Sequence, residues 1–177
     1  EQIKLNNPTL NILSFDDMLK PHCSHMVLNH GIQAKKSLYK TLVDKECKVF
    51  CGSKYTLLRD EFFEKYSEKV IKNSVAIILG GNDVLNLSSQ IASYLFEIDK
   101  NYKITIITSS VNPNLKELKE LKYIELLVDI SNIAEVLSSK ELIISASGGT
   151  LFEVLALRKD FINIEVASNQ KVVTQFL

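Results

Sequence analysis

The chain alternates short runs of branched apolar residues with polar turns, and the turns lead into segments whose apolar residues recur every three or four positions. A continuous apolar run of strand length is what a strand covered on both faces requires, and the three-to-four spacing is that of a helix with one buried stripe. From Ser74 onward this alternation is regular. Ser74 to Leu79 predicts a strand, Gly80-Gly81-Asn82-Asp83 a turn, and Val84 to Phe96 a helix with Leu87, Ile91 and Leu95 as its inner stripe. Strand Lys103 to Thr108 precedes a helix opened by Pro113 and ending at Leu121, and strand Tyr123 to Val128 precedes helix Ile130 to Leu137. Strand Leu142 to Ser145 precedes helix Thr150 to Leu157, and strand Phe161 to Val166 feeds a last helical pattern. Strand–helix units joined by short loops predict an α/β fold with a doubly wound parallel sheet and right-handed crossovers.

The first part of the chain is sparser. Asn11 to Phe15 predicts a buried strand ending in the polar pair Asp16-Asp17, His25 to Asn29 a second strand, and Cys47 to Cys51 a third. Gly52 and Ser53 lead from there into Leu57 to Tyr66, a charged segment with helical spacing, and the polar stretch Lys69 to Asn73 suits a linker. Domains over 1–70 and 71–177 follow, the first short of a complete sheet. The chain starts at Glu1 without a methionine and stops inside a helical pattern at Leu177, so a piece of a longer protein is expected.

Composition narrows the classes. At 177 residues and 46% hydrophobic content the chain can bury a real core. Lys+Arg and Asp+Glu balance at 21 each, without the basic excess of a nucleic-acid binder. No apolar run is long enough to span a bilayer, and three cysteines in no zinc spacing fit a reducing cytoplasm. His22-Cys23-Ser24-His25 brings two imidazoles and a thiol together, but no further ligand follows at metal spacing, so no metal is expected. Cys47 and Cys51, on one strand, stand roughly 13 Å apart and read as core thiols.

The chemistry concentrates at strand exits. Gly80-Gly81-Asn82 and Ser147-Gly148-Gly149-Thr150 each follow a strand and open a helix, whose first N–H groups and about half a positive charge favour an anion. Neither is a GxGxxG or P-loop motif. Glu153 has two readings: in Thr150-Leu151-Phe152-Glu153 it completes the capping box S/T-x-x-E, or it accepts hydrogen bonds from both hydroxyls of a ribose. Asn82 and Asp83 are ordinary N-cap residues by type. Asp16, Asp17, Asn29 and His30 stand where ligands bind in parallel sheets, or simply solvate loops. Asn169 and Gln170 could read sugar hydroxyls or cap the last helix.

Ile12-Leu13-Ser14-Phe15-Asp16-Asp17, the strand end Val27-Leu28-Asn29, the segment from Cys51-Gly52-Ser53-Lys54-Tyr55 to Phe62, the turn Leu79-Gly80-Gly81-Asn82-Asp83 and the run from Thr108 to Asn114 together resemble the UDP-sugar hydrolases of pseudaminic acid biosynthesis, over nearly the whole chain. More distantly, Val128-Asp129, the run Ser147 to Glu153 and Asn169-Gln170 are similar to the donor half of the UDP-GlcNAc transferase that completes lipid II, a GT-B enzyme. The resemblance implies a Rossmann-like GT-B C-terminal domain preceded by the remaining part of an N-terminal Rossmann-like domain, with UDP in the second and catalysis across the cleft. It implies hydrolysis of a UDP-linked deoxy-diacetamido sugar by attack of water at the anomeric carbon, with no metal or cofactor required. Val128 would meet the uracil through its backbone. Gly80, Gly81 and Asn82, with Ser147, Gly148, Gly149 and Thr150, would flank the diphosphate, and Glu153 would hold the ribose. Asn169 and Gln170 would face the sugar, and Asp16, Asp17, Asn29 and Tyr55 would line the opposing wall.

The family's glycine-rich loop with a catalytic histidine has no counterpart here, since none of His22, His25 and His30 sits in such a loop. The expected catalytic histidine therefore lies outside this chain. Two other readings share the UDP-sugar site: a GT-B glycosyltransferase using an acceptor hydroxyl, and a non-catalytic nucleotide-sugar-binding module.

Overall fold

The computed structural model describes residues 2–7, 9–66 and 69–177, with the side chains of Lys4 and Asn169 outside the described set. Packing divides the chain into two units, Glu1–Leu57 with Gln175–Leu177, and Leu58–Thr174. The division falls before Leu58 rather than after residue 70, because the turn following Leu57 is tied by side chains to the second unit: Arg59 pairs with Glu153, and Phe62 is buried.

In unit 1, a short helix α1 (Gln2–Asn6) precedes three parallel strands, β1 (Leu13–Phe15), β2 (Met26–Asn29) and β3 (Lys48–Cys51), in the order β1-β2-β3. The register sets Phe15 beside Leu28 and Asn29 beside Cys51. The expectation of a buried first strand is corrected: Leu13 is 41% and Phe15 62% exposed. The apolar run does form a strand, but β1 is an edge, with no further strand pairing it among the described residues. Central β2 carries the buried strand side chains of this unit, Val27 and Asn29.

Unit 2 holds β4 (Ile71–Ile78), α2 (Leu87–Ile98), β5 (Lys103–Thr108), α3 (Leu115–Glu120), β6 (Ile124–Val128), α4 (Ile133–Ser138), β7 (Lys140–Ala146), α5 (Gly149–Ala156), β8 (Asp160–Ile164) and the start of α6 (Lys171–Phe176). Its five strands are all parallel in the order β6-β5-β4-β7-β8. Alternate residues of β4 and the residues just after it explain why its sequence is apolar throughout. Val75, Ile77 and Leu79 enter one cluster, packed with Leu87, Ile91 and Leu95 of α2 and Leu118 of α3. Ala76 and Ile78 enter the other, packed with Leu137 of α4 and Val154 of α5. Each fully buried aliphatic side chain adds about 1.5–3 kcal/mol relative to exposure, so a sheet covered on both faces is the main stabilising element here.

Several boundaries differ from the sequence reading for local reasons. Leu57 to Tyr66 forms only a 3-10 turn at Asp60–Phe63, in which Phe62 is buried while Phe63 is 71% exposed. The proposed linker is already strand from Ile71, with an irregular register between Ile71 and Val75 where Asn73 takes a positive φ of 56°. Helix α2 begins at Leu87 rather than Val84, because Asp83 caps it from a distance and Asn86 adopts φ 50°. Helix α4 begins at Ile133 rather than Ile130, where the Asn132 side chain accepts from the Glu135 N–H.

Candidate functional site

In unit 2 the chain runs outward from β4 through β5 to β6, then returns to β7 on the other side of β4. A doubly wound sheet opens a crevice at the carboxyl ends of the strands where this reversal occurs. Both glycine turns stand there, one after β4 and one after β7. At the first, Gly80 has φ 92°, a region only glycine enters freely, and the Gly81 carbonyl accepts from the hydroxyls of Thr108 at 3.3 Å and Ser109 at 2.8 Å. A Cβ at Gly80 would meet nothing within 4 Å, so Gly80→Ala isolates backbone strain. We expect it to cost about 1–2 kcal/mol in denaturant unfolding, and an unchanged midpoint would refute the strain.

The expectation that both turns present free helix N-termini is half corrected. Asp83 is buried, and its two carboxylate oxygens accept from the N–H groups of Leu87 at 3.0 Å and Ser88 at 2.9 Å, so the α2 terminus is already satisfied by the protein. Helix α5 is different: its N-cap is Gly148, with no side-chain cap. Asn82 is exposed beside the first turn. The first turn and the first turn of α5 border a cleft of about 260 Å³, lined by Gly80, Gly81, Thr108, Asp129, Ile133 and Thr150, among others. That is a little below the roughly 300–1,000 Å³ of a drug-sized pocket, and suits a nucleotide fragment. Val128 ends β6 beside Thr108, and Asp129 follows at φ 52°. Hydrogen bonds from Ser110, including its N–H at 3.0 Å, hold the Asp129 carboxyl below its ordinary range.

Glu153 does not complete a capping box. With Gly148 as N-cap, Thr150 already lies inside the helix, and the Glu153 carboxylate turns instead to Arg59: Nε donates to Oε1 at 2.8 Å and Nη2 to Oε2 at 2.9 Å. The hydrogen bond to Glu153 raises the Arg59 pKa further. The Arg59 Nη1 also lies 3.0 Å from Glu61 Oε1. The sequence offered one hint of this pair, in that Arg59 is one of two arginines in a lysine-rich chain.

The remaining candidates in unit 2 are engaged in the loop itself. Ser147 is buried, its hydroxyl accepting from Asn163 Nδ2 at 2.6 Å and sharing a hydrogen with Thr174 at 2.7 Å. Gln170 staples the loop before it, accepting from the Val166 N–H at 3.0 Å, and its Nε2 would lie 3.8 Å from a Cβ on Gly148. It thus sits beside the second glycine turn without capping α6. The side chain of Asn169 lies outside the described residues.

In unit 1, Asp16 and Asn29 converge on a residue that the sequence reading passed over. Tyr39 is fully buried; its hydroxyl donates a short hydrogen bond to Asp16 Oδ2 and accepts from Asn29 Nδ2 at 2.8 Å. Asn29 Oδ1 takes the Gly31 N–H at 2.9 Å, and Asp16 Oδ1 takes that of Met18 at 3.0 Å, with His22 Nε2 at 3.6 Å. Burial opposes ionisation of Asp16, but Tyr39, Met18, His22 and the Lys20 N–H together hold its pKa below the ordinary value. Burial and Asp16 push the Tyr39 hydroxyl well above its usual range. Asp17 is exposed and, with Asp16 and His30, lines a pocket of about 280 Å³. Tyr55 packs edge-on against Phe50 rather than into this network.

His25 is structural, its Nδ1 accepting from the Ile12 N–H at 3.0 Å. No group of three or more His, Cys, Asp or Glu that could hold a metal occurs among the described residues. No disulfide links the cysteines, and they are not core thiols: Cys23 is exposed, and Cys47 and Cys51 are half-buried.

No family model matches the chain. It is 42% identical over 174 residues, 95% of its length, to the UDP-2,4-diacetamido-2,4,6-trideoxy-beta-L-altropyranose hydrolase of Campylobacter jejuni, of which it covers 62%. It is 30% identical over 121 residues, 61% of its length, to an uncharacterised protein of Methanocaldococcus jannaschii, of which it covers 25%. Among solved structures, MurG of Acinetobacter baumannii aligns with a TM-score of 0.52 over 98% of this chain and 52% of that one, at 15% identity, a likeness of fold. No helix among the described residues is long and apolar enough to cross a membrane. The chain therefore has a Rossmann-like α/β fold of parallel sheets, and it is related over nearly its whole length to the Campylobacter hydrolase while spanning about three-fifths of it.

Proposed function

We propose that unit 2 binds the UDP of a nucleotide sugar, and that the chain serves a cytoplasmic hydrolase of a UDP-linked deoxy-diacetamido sugar that releases UDP and free sugar for nonulosonic (pseudaminic) acid biosynthesis. The observation that carries the UDP site is one cleft at the strand-order reversal, bordered by the first glycine turn and by Thr150 at the start of α5, a helix whose terminus no side chain caps. The N–H groups opening α5 are directed at an anion there, and the two turns bring backbone rather than side chains close to a diphosphate. Val128 stands where a base would meet a strand end, and Glu153 one turn into α5 is the acceptor for the ribose hydroxyls. Gln170, beside Gly148, is oriented toward the sugar side.

In the reaction, a water oxygen bonds to the anomeric carbon as the bond from that carbon to the phosphate oxygen breaks, and UDP leaves with the electron pair. The residues of unit 2 stabilise the leaving group by hydrogen bonding and helix charge, without a metal. The water's proton passes to a base that we place outside this chain. The identity with the Campylobacter relative supports hydrolysis as the chemistry.

Thermal or denaturant unfolding of this chain with and without UDP tests the site. At about a hundred times the dissociation constant, UDP is expected to add about 2.7 kcal/mol. No shift, with the fold shown intact by circular dichroism, would sink the reading. Release of UDP from the UDP-sugar by the hydrolase, with no acceptor added, separates hydrolysis from transfer.

A further inference from the structure

We propose that Arg59 is a positioning residue of the nucleotide site, a guanidinium clamp that orients Glu153 for the cis-diol of a ribonucleotide. This rests on the reading of unit 2 as a UDP site.

Glu153 follows Thr150 by three residues, so both lie on one face of α5, and Thr150 lines the cleft. The fork from Arg59 takes one hydrogen bond on each carboxylate oxygen. An ionised carboxylate accepts at about four positions, so each oxygen keeps one acceptor, and a pair of adjacent hydroxyls needs that arrangement. A planar guanidinium bonded at two points also fixes the plane of the carboxylate, which a single contact would leave free to rotate.

The clamp is anchored at both ends. The Arg59 guanidinium lies over the ring of Phe62, 5.1 Å from its centroid, and Phe62 is buried. Glu61, held by Arg59, accepts from the Ala134 N–H at 3.4 Å, and the Tyr66 hydroxyl bonds the Glu61 carbonyl at 2.8 Å. The turn at Arg59 to Tyr66 thus ties the first turn of α4 to α5, and Ile133 and Thr150 at those helix starts line the cleft. Arg59 is not among the lining residues of the cleft and acts through Glu153.

The test compares dissociation constants of UDP and 2′-deoxy-UDP by calorimetry on the full chain, for wild type, Arg59→Lys and Arg59→Gln. Lysine keeps the charge and the apolar stem but cannot fork. Wild type is expected to favour UDP by about tenfold or more, one charge-assisted hydrogen bond's worth. Both variants are expected to bring that ratio to within about threefold while still binding the deoxynucleotide, whose affinity reports the diphosphate turns. A wild-type ratio retained in Arg59→Lys, which keeps the packing over Phe62, overturns the clamp. Equal binding of both nucleotides by wild type overturns it too, while leaving the UDP reading standing. Wild type binding neither nucleotide overturns the UDP reading and the clamp with it.

Discussion

Leu137→Ala is expected to lower the stability of unit 2 by about 2–5 kcal/mol, with the denaturant midpoint falling and the slope unchanged. Leu137 is fully buried on α4, in the cluster with Ile78, Ile107, Ile143 and Val154, and Ile130 and Ile133 pack on the same cluster. Ile78, Ile107, Ile130 and Ile133 are also walls of the cleft between the first glycine turn and the start of α5. Removing three carbons here leaves a cavity that the five-stranded sheet cannot collapse to fill, because its inner strands β5, β4 and β7 are held by ladders on both sides. The loss falls directly beneath the site, so weaker UDP binding is expected to accompany it. Hydrogen exchange localises the effect: faster exchange in α4 and β6 agrees with this account, and protection lost only in unit 1 would contradict it.

Tyr39→Phe is expected to cost unit 1 about 1–3 kcal/mol for each polar group that it orphans, and more for a carboxylate, with the loss largest near neutral pH and narrowing in acid. The variant keeps the ring and removes the hydroxyl that Asp16 accepts from and that Asn29 donates to. The sign follows from the folded pKa of Asp16, which lies below its ordinary value of 3.8. A carboxyl depressed in the folded state adds stability above its unfolded pKa and loses it as pH falls through the folded one. Wild-type unit 1 has this contribution in full above pH 3.8 and loses it as pH falls below, whereas without the Tyr39 hydroxyl the depression is smaller, so the gap between the two forms is widest near neutral pH and narrows in acid. Unfolding free energy measured from pH 7 to pH 3 checks this, and parallel profiles for the two forms would show that Tyr39 does not set the Asp16 carboxyl.

The parallel strands of unit 2 are legible in the sequence because the signal is local. A run such as Val75-Ala76-Ile77-Ile78 has no polar face, and only cover on both sides accommodates that. The inner stripe of α2 reads correctly for the same reason: Leu87, Ile91 and Leu95 recur with the helical period and pack together in one cluster. Helix starts read less well. Val84 and Leu85 are apolar and fit the period, yet both are more than 60% exposed, because the Asp83 side chain satisfies the helix three residues later. An apolar pattern reports which residues can be buried, and a neighbour's carboxylate decides where the helix begins.

The candidate site divides along the same line. That glycine turns follow β4 and β7 belongs to the sequence; that those two strands are neighbours belongs to the sheet order. The roles of individual side chains were the least legible. Thr150-Leu151-Phe152-Glu153 matches a capping box in spacing, and the match fails because Gly148, not Thr150, is the N-cap. Asp16 and Asn29 read as two loop residues, and a tyrosine ten residues beyond Asn29 makes them one buried network.

By itself the sequence determined the two kinds of element, the α/β class and the polar strand exits, since these depend on neighbours within a turn or two along the chain. The tertiary structure alone decided which glycine turn keeps an uncapped helix terminus, that β1 is an exposed edge, and that Glu153 is held by Arg59. Arg59 and Glu153 are 94 residues apart in sequence, and no local pattern can signal a pairing that exists only once α5 has docked on the sheet and the turn after Leu57 has folded back against it. Hydrogen bonds between distant side chains depend on positions set by the whole core, so the chemistry of this site is read from the fold and its scaffold from the chain.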